Sequence, residues 1–139
     1  MTAFDLRRFV TAQEDIHAQA LAELKAGRKQ SHWMWFIFPQ LAGLGSSPMA
    51  VRYALGSADE ARAYLAHPIL GPRLREGVVA MLAHKGARPE AILGGIDALK
   101  FRSSLTLFEA VADEPALFAE ALDAFYEGER DRRTLELLA

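Results

Sequence analysis

The residues best suited to chemistry begin with an aromatic stretch, His32–Gln40, which contains both tryptophans of the chain. A planar indole ring can stack on a flat ligand. His32 and Gln40 add hydrogen-bond donors and acceptors at the two ends of the stretch. We therefore predict that Trp33 or Trp35 stacks on a ligand while His32 and Gln40 hydrogen-bond to it. The alternative is that the aromatic side chains form a core wedge and that Gln40 is a satisfied loop amide.

A second polar segment, Lys100–Thr106, carries Lys100, Arg102, Ser103 and Ser104 within two turns of an expected helix. An arginine side chain presents a planar fork of donors that matches a phosphate or a carboxylate. The free N–H groups near a helix N-terminus also favour anions. These residues are the set that a phosphate-bearing ligand needs. The alternative is that Arg102 pairs with Glu109 and that the serines hydrogen-bond to the backbone.

Together, the two segments predict a pocket that binds a small anionic, nucleotide-like ligand, with hydrolysis as the reaction to test. The ligand would lie between the His32–Gln40 stretch and the Lys100–Thr106 segment, and whether these meet in space is left open. The alternative function is a protein–protein interaction module that uses the aromatic stretch as an exposed patch. No catalytic residue can be named, so enzymatic activity stays undecided.

Several kinds of site are excluded because their sequence motifs are absent. The four histidines, His17, His32, His67 and His84, do not form His-x-x-x-His or His-Glu-x-x-His, so we predict no metal site. The chain has no Gly-x-Gly-x-x-Gly and no phosphate loop, and we predict no cofactor. The cysteine count of 0 removes thiol nucleophiles and is compatible with a reducing cytosol.

The composition is typical of one folded domain over residues 1–139. The chain is 51% hydrophobic and 24% charged, and such a length buries a core without a disulfide or metal. A net charge of −2 with interspersed signs argues against nucleic acid as a partner. The N-terminus shows no signal peptide, and Pro39 and Pro48 interrupt the longest uncharged stretch. We expect a cytoplasmic protein without a membrane span, whose oligomeric state the sequence leaves open.

Apolar residues repeat with helical spacing, and no strand-like alternation is long enough for a sheet. Ser57 and Glu60 form a capping box, and Pro39 should end a helical turn at Phe38. The fold class is therefore all-α, a compact single-domain multihelical bundle of about six to seven helices without significant sheet. The main helices are expected at residues 5–25, 58–66, 71–86, 98–112 and 115–128, with shorter turns and a docked tail at 131–139.

Four segments resemble an uncharacterised family of bacterial all-helical proteins, domain-of-unknown-function family 1810. They are Ser31–Leu41, Glu60–Leu74, Lys100–Phe108 and Thr134–Leu138. The resemblance covers nearly the whole chain and implies a mainly helical single domain of unknown activity. Members are sometimes labelled calpastatin, but that inhibitor is a disordered polar chain, and half of this one is apolar.

Overall fold

The computed structural model describes residues 4–139, and these residues form ten helices and no sheet. The all-α prediction is confirmed. The predicted number of six to seven helices is wrong, because several helices are short and because the first expected helix is divided in two. The helices are α1 (Arg7–Gln13), α2 (His17–Ala26), α3 (Met34–Ile37), α4 (Pro48–Arg52), α5 (Ala58–Ala66), α6 (Leu70–Leu82), α7 (Pro89–Leu93), α8 (Gly95–Val111), α9 (Ala116–Tyr126) and α10 (Arg132–Leu138).

The predicted first helix over residues 5–25 is divided into α1 and α2. The division follows Gln13, whose side chain is buried and donates to the Phe36 carbonyl at 2.7 Å and to the Tyr64 hydroxyl at 3.1 Å. A buried amide is normally hydrogen-bonded, and these bonds hold the end of α1 against α3 and α5. Asp5, which could have capped a helix that begins at this point, does not do so, because Leu6 precedes α1 and supplies no side-chain cap.

Several local predictions are confirmed. The α3 helix ends at Phe38, before Pro39. The Ser57 hydroxyl accepts from the Glu60 backbone N–H at 3.1 Å and starts α5. The Glu60 carboxylate accepts in return from the Gly56 N–H at 2.7 Å, so the capping box reaches one residue further back than expected.

The longest helix, α8, lies at the centre of the core and packs against α5, α7, α9 and α10. It begins at Gly95, three residues before the predicted start, so Asp97 lies in its first turn and is not its cap. Phe101 and Phe108 are fully buried on its inner face. The Phe101 ring centroid lies 4.7 Å from that of Phe38, and the Phe108 centroid lies 5.5 Å from that of Tyr64.

The aromatic stretch contributes most of its side chains to this core. Trp33, Met34, Phe36, Ile37 and Phe38 are all buried. Helix α6 passes close to the stretch at Gly77, where an added Cβ would lie 3.1 Å from the Phe38 ring. No helix in the described part of the chain is both long and apolar enough to cross a membrane.

A comparison of substitutions at Gly27 and Gly95 tests why α2 ends at Gly27. Gly27 ends this helix with φ 75°, and an added Cβ would lie 3.0 Å from the ring of His84, which binds the Leu24 carbonyl at 2.9 Å. We expect Gly27→Ala to lower the free energy of unfolding by about 1–2 kcal/mol, because a side chain strains left-handed backbone.

The matched control is Gly95→Ala at the start of α8, where an added Cβ meets nothing within 4 Å. This change should be neutral or stabilising by up to about 1 kcal/mol, since alanine favours helix. Urea denaturation of both variants is the measurement. Equal losses of stability would contradict the conformational explanation.

Candidate functional site

Trp33 is a core residue whose ring has no exposed face. It is 0% exposed, and its indole N–H donates to the Glu23 carboxylate at 2.9 Å. Lys29 lies over the ring, with Nζ 4.9 Å from the centroid. The interpretation of Trp33 as a core wedge is therefore the one that its surroundings support.

Glu23 is the charged centre of this region and is itself buried. Its carboxylate accepts five hydrogen bonds, from the backbone N–H groups of Gln30 and Ser31 and from the side chains of Gln19, Ser31 and Trp33. Burial by itself would raise the pKa of Glu23, but the bonds from Ser31, Gln30 and Trp33 outweigh it and lower the pKa to about 2. The group therefore stays ionised and fixes the turn after α2.

The two predicted segments do meet, through charged and aromatic contacts. Asp97 binds Lys29 at 2.9 Å and lies 3.8 Å from Lys100. The Lys100 ammonium lies 5.3 Å from the centroid of the half-buried Trp35 ring. Lys100 therefore covers Trp35, and the pair forms a cation–π contact on the surface.

The other predicted residues of the aromatic stretch stand apart from this pair. His32 is exposed, and its neighbours Ser31 and Trp33 bind Glu23. Gln40 is half-buried, and its backbone carbonyl accepts from the Leu55 N–H at 2.9 Å.

The two serines face the interior of the protein. Ser103 is buried and its hydroxyl donates to the Leu99 carbonyl at 3.2 Å, which is the backbone role proposed as the alternative. Ser104 is also buried, and its hydroxyl has no hydrogen-bond partner within residues 4–139. Their burial does not place them beside the Lys100–Trp35 pair, so the eight predicted side chains do not surround one cavity.

Arg102 faces a different side of α8 from Lys100, because two residues along a helix turn the direction by about 200°. It lines a cleft of about 350 Å³ together with Arg88, Glu90 and the Tyr126–Glu127 end of α9. We call this the Arg102 cleft. The Arg102 guanidinium carbon lies 5.9 Å from the Tyr126 ring centroid.

The alternative pairing of Arg102 with Glu109 is wrong. Arg130 occupies both oxygens of the Glu109 carboxylate, with a Nε–Oε1 distance of 2.9 Å. Within residues 4–139, no carboxylate oxygen lies within 4.0 Å of the Arg102 guanidinium, and its buried Nε has no hydrogen-bond partner. A buried donor without a protein partner is unusual, and either a water molecule or a ligand would satisfy it.

The lining of the Arg102 cleft has mixed charge. Arg88 lies 3.9 Å from Glu90, and Glu129 is a further carboxylate of the rim. The Tyr126 hydroxyl donates to the Ala98 carbonyl, and burial, followed by the charge of Glu90, raises the pKa of Tyr126 above its ordinary value.

Sequence reasoning did not select these neighbours of Arg102. Glu127 adopts left-handed backbone with φ 55°, which is uncommon for a residue that is not glycine. A sequence signal near the cleft is Gly128, which directly follows Glu127 at the end of the helix expected at 115–128.

The comparisons with known proteins agree with this architecture. The family model described as "Protein of unknown function (DUF1810)" matches residues 3–138. The chain belongs to this family. Among solved structures, this DUF1810 chain is similar to the conserved hypothetical protein Rv1873 from Mycobacterium tuberculosis, with 51% identity and a TM-score of 0.95. That match covers 97% of this chain and 96% of the other, and no curated protein matches. The predicted family resemblance is confirmed.

Glu23 provides a test of the network that holds the aromatic stretch. We expect Glu23→Gln to lower the free energy of unfolding by about 2–3 kcal/mol at pH 7, because the charge that accepts five hydrogen bonds is lost. The folded pKa of about 2 lies below the ordinary 4.5, so this stabilisation is complete above pH 4.5 and is lost as the pH falls towards 2.

Urea denaturation of the wild type and the variant between pH 7 and pH 2 is the measurement. Glu120→Gln is the control, because Glu120 is exposed on α9 and should change stability by less than about 0.5 kcal/mol. A difference between wild type and Glu23→Gln that does not shrink below pH 4.5 would contradict the role of the ionised carboxylate.

Proposed function

We propose that this protein binds a small ligand through an anionic group held by Arg102. The observation that supports it is the unpaired guanidinium: the Nε is buried without a partner, while Arg130 holds the expected carboxylate Glu109. Leaving a buried donor unsatisfied costs about 1–3 kcal/mol. A carboxylate or phosphate in the cleft could accept from the guanidinium N–H groups of Arg102, and a small turn of the side chain would bring Nε to the same ligand and remove that cost.

The size and charge of the Arg102 cleft narrow the class of ligand. Its volume of about 350 Å³ is at the lower end of the range of roughly 300–1,000 Å³ for ligand sites. Two arginines and three glutamates line it, which disfavours a ligand with several negative charges. We therefore infer a ligand with one anionic group, a phosphorylated nucleoside or a smaller metabolite, in preference to ADP-ribose or NAD.

Hydrolysis remains the reaction to assay once a ligand is known. Glu90 and Glu127 line the same cleft, and a carboxylate within reach of a bound water can act as a general base. This proposal uses Arg102 but leaves out Trp33, which is buried, and Lys100, which covers Trp35.

We also propose a bacterial and cytoplasmic setting. The absence of cysteine from the chain suits a reducing compartment. The similar Rv1873 protein comes from Mycobacterium tuberculosis, which supports the bacterial part of the proposal.

A thermal-shift screen tests the Arg102 cleft. The screen contains small monophosphates and monocarboxylates, with ADP-ribose and NAD as larger comparisons. A ligand at 100 times its dissociation constant stabilises the fold by about 2.7 kcal/mol, which raises the melting temperature by several degrees. We expect Arg102→Ala to abolish that shift and Arg102→Lys to restore only part of it, because lysine keeps the charge but not the fork.

The control for the screen is Arg132→Ala, which removes a 92% exposed arginine outside the cleft and should leave the shift unchanged. A hit that stabilises Arg102→Ala as much as the wild type would place the ligand elsewhere. A screen without hits would favour the second candidate function.

That second candidate is a protein-interaction surface. It lies on α8 and not on the aromatic stretch that the sequence suggested. The aromatic stretch is mostly buried and presents no exposed patch, whereas Ile96 and Leu99 of α8 are 73% and 59% exposed. They are three residues apart and therefore lie on one face of the helix. Exposed apolar side chains that are adjacent mark a possible contact surface.

We expect the double change Ile96→Lys and Leu99→Lys to abolish any self-association of the wild type. The measurement is molar mass by light scattering over a range of protein concentrations. Val79→Lys is the matched control, because Val79 is 55% exposed on α6. A wild-type mass that stays monomeric at every concentration would rule out self-association through this surface.

A further inference from the structure

A separate cleft of about 370 Å³ lies where the N-terminal part of the chain meets the link between α5 and α6. Its lining is Phe4, Leu6, Arg7, Val10, His67 and Ile69, and it shares no residue with the Arg102 cleft. We call it the His67 cleft. Four of its six lining side chains are apolar, and Phe4 and Ile69 are 37% and 41% exposed. It therefore offers an apolar wall that is open to solvent.

The backbone fixes the tautomer of His67. Its Nδ1 accepts hydrogen bonds from the N–H groups of Ile69 at 3.1 Å and Leu70 at 3.2 Å. A ring nitrogen that accepts must carry a lone pair, so the proton of the neutral ring is on Nε2. Within residues 4–139, no protein acceptor binds this Nε2–H. His67 thus presents one oriented donor at the edge of an apolar cleft.

Arg7 supplies the only charge among the six lining residues. Its guanidinium forms no ion pair with any carboxylate of residues 4–139. The Nδ1 of His67 is already occupied by two backbone N–H groups, so the polar side-chain groups left for a ligand are the Arg7 guanidinium and the His67 Nε2–H. Both are donors, in contrast to the glutamates of the Arg102 cleft.

We propose that the His67 cleft binds a small amphipathic carboxylate. The apolar part of the ligand packs against Phe4, Leu6, Val10 and Ile69, and its carboxylate accepts from Arg7 and from the Nε2–H of His67. One negative charge matches that of the Arg7 guanidinium, which favours a monoanionic carboxylate over a phosphate dianion. The volume of about 370 Å³ suits a chain or ring of small size.

Isothermal titration calorimetry with octanoate, acetate and 1-octanol tests this proposal. Octanoate should bind, acetate should fail for lack of an apolar part, and octanol should bind at least tenfold more weakly than octanoate. Binding of octanol as tight as that of octanoate would overturn the proposal, because the donors would then contribute nothing. So would the absence of octanoate binding at millimolar concentration.

Two variants locate the site. His67→Asp keeps an acceptor for the Ile69 and Leu70 N–H groups, as an N-cap residue does, but replaces the donor by a negative charge. It should keep the helical circular dichroism and abolish octanoate binding, while Arg7→Gln should weaken binding about tenfold. Arg133→Gln is the matched control, since Arg133 is exposed and outside the cleft. Unchanged binding in both His67→Asp and Arg7→Gln would overturn the proposed location.

Discussion

The buried carboxylate of Glu23 is the constraint on which the path of the chain depends. A desolvated charge is tolerated only when donors occupy its lone pairs, and the turn after α2 supplies them from Gln30, Ser31 and Trp33. Satisfying Glu23 therefore places the Trp33 indole in the core. It also sets the direction in which α3 enters and carries Phe38 to Phe101 of α8. One ion thus fixes the relation between the first third of the protein and its central helix.

Most of the aromatic side chains pack in the core, so the groups available to bind a ligand belong to other residues. The side chains that seemed best suited to stacking are occupied in the core, while Lys100 covers the remaining indole of Trp35. Unpaired donors lie instead in two open clefts, at Arg102 and at His67. The linings differ, because three glutamates accompany the two arginines in one cleft, whereas Arg7 is the only arginine, lysine or carboxylate side chain lining the other. Both proposed ligands carry one anionic group, and they differ in the apolar part that the His67 cleft would hold.

The all-α class could be predicted because apolar spacing is a local property of the chain. The number of helices could not, since the break after α1 depends on Gln13 reaching Phe36 and Tyr64, residues far along the sequence. Arg102 was selected from its side-chain chemistry alone. Its neighbours Glu90 and Tyr126 come from other helices, and only tertiary packing brings them to the Arg102 cleft. A spacing of two residues leaves open whether Trp33 and Trp35 point apart, as on a helix, or to the same side, as in an extended chain, and it does not tell which of them Glu23 binds.

The link between α9 and α10 occupies the carboxylate that the sequence offered as an alternative partner for Arg102. Glu109 lies seven residues after Arg102, two turns further along α8. Arg130 reaches from the link to take that carboxylate, and the Thr106 hydroxyl accepts from the Asp131 N–H at 2.9 Å. These bonds hold the link against α8. Glu127 and Glu129 of the same stretch of chain line the Arg102 cleft. A ligand bound in the proposed way would meet a site whose wall is already folded, so little of its binding free energy would be spent on ordering the protein.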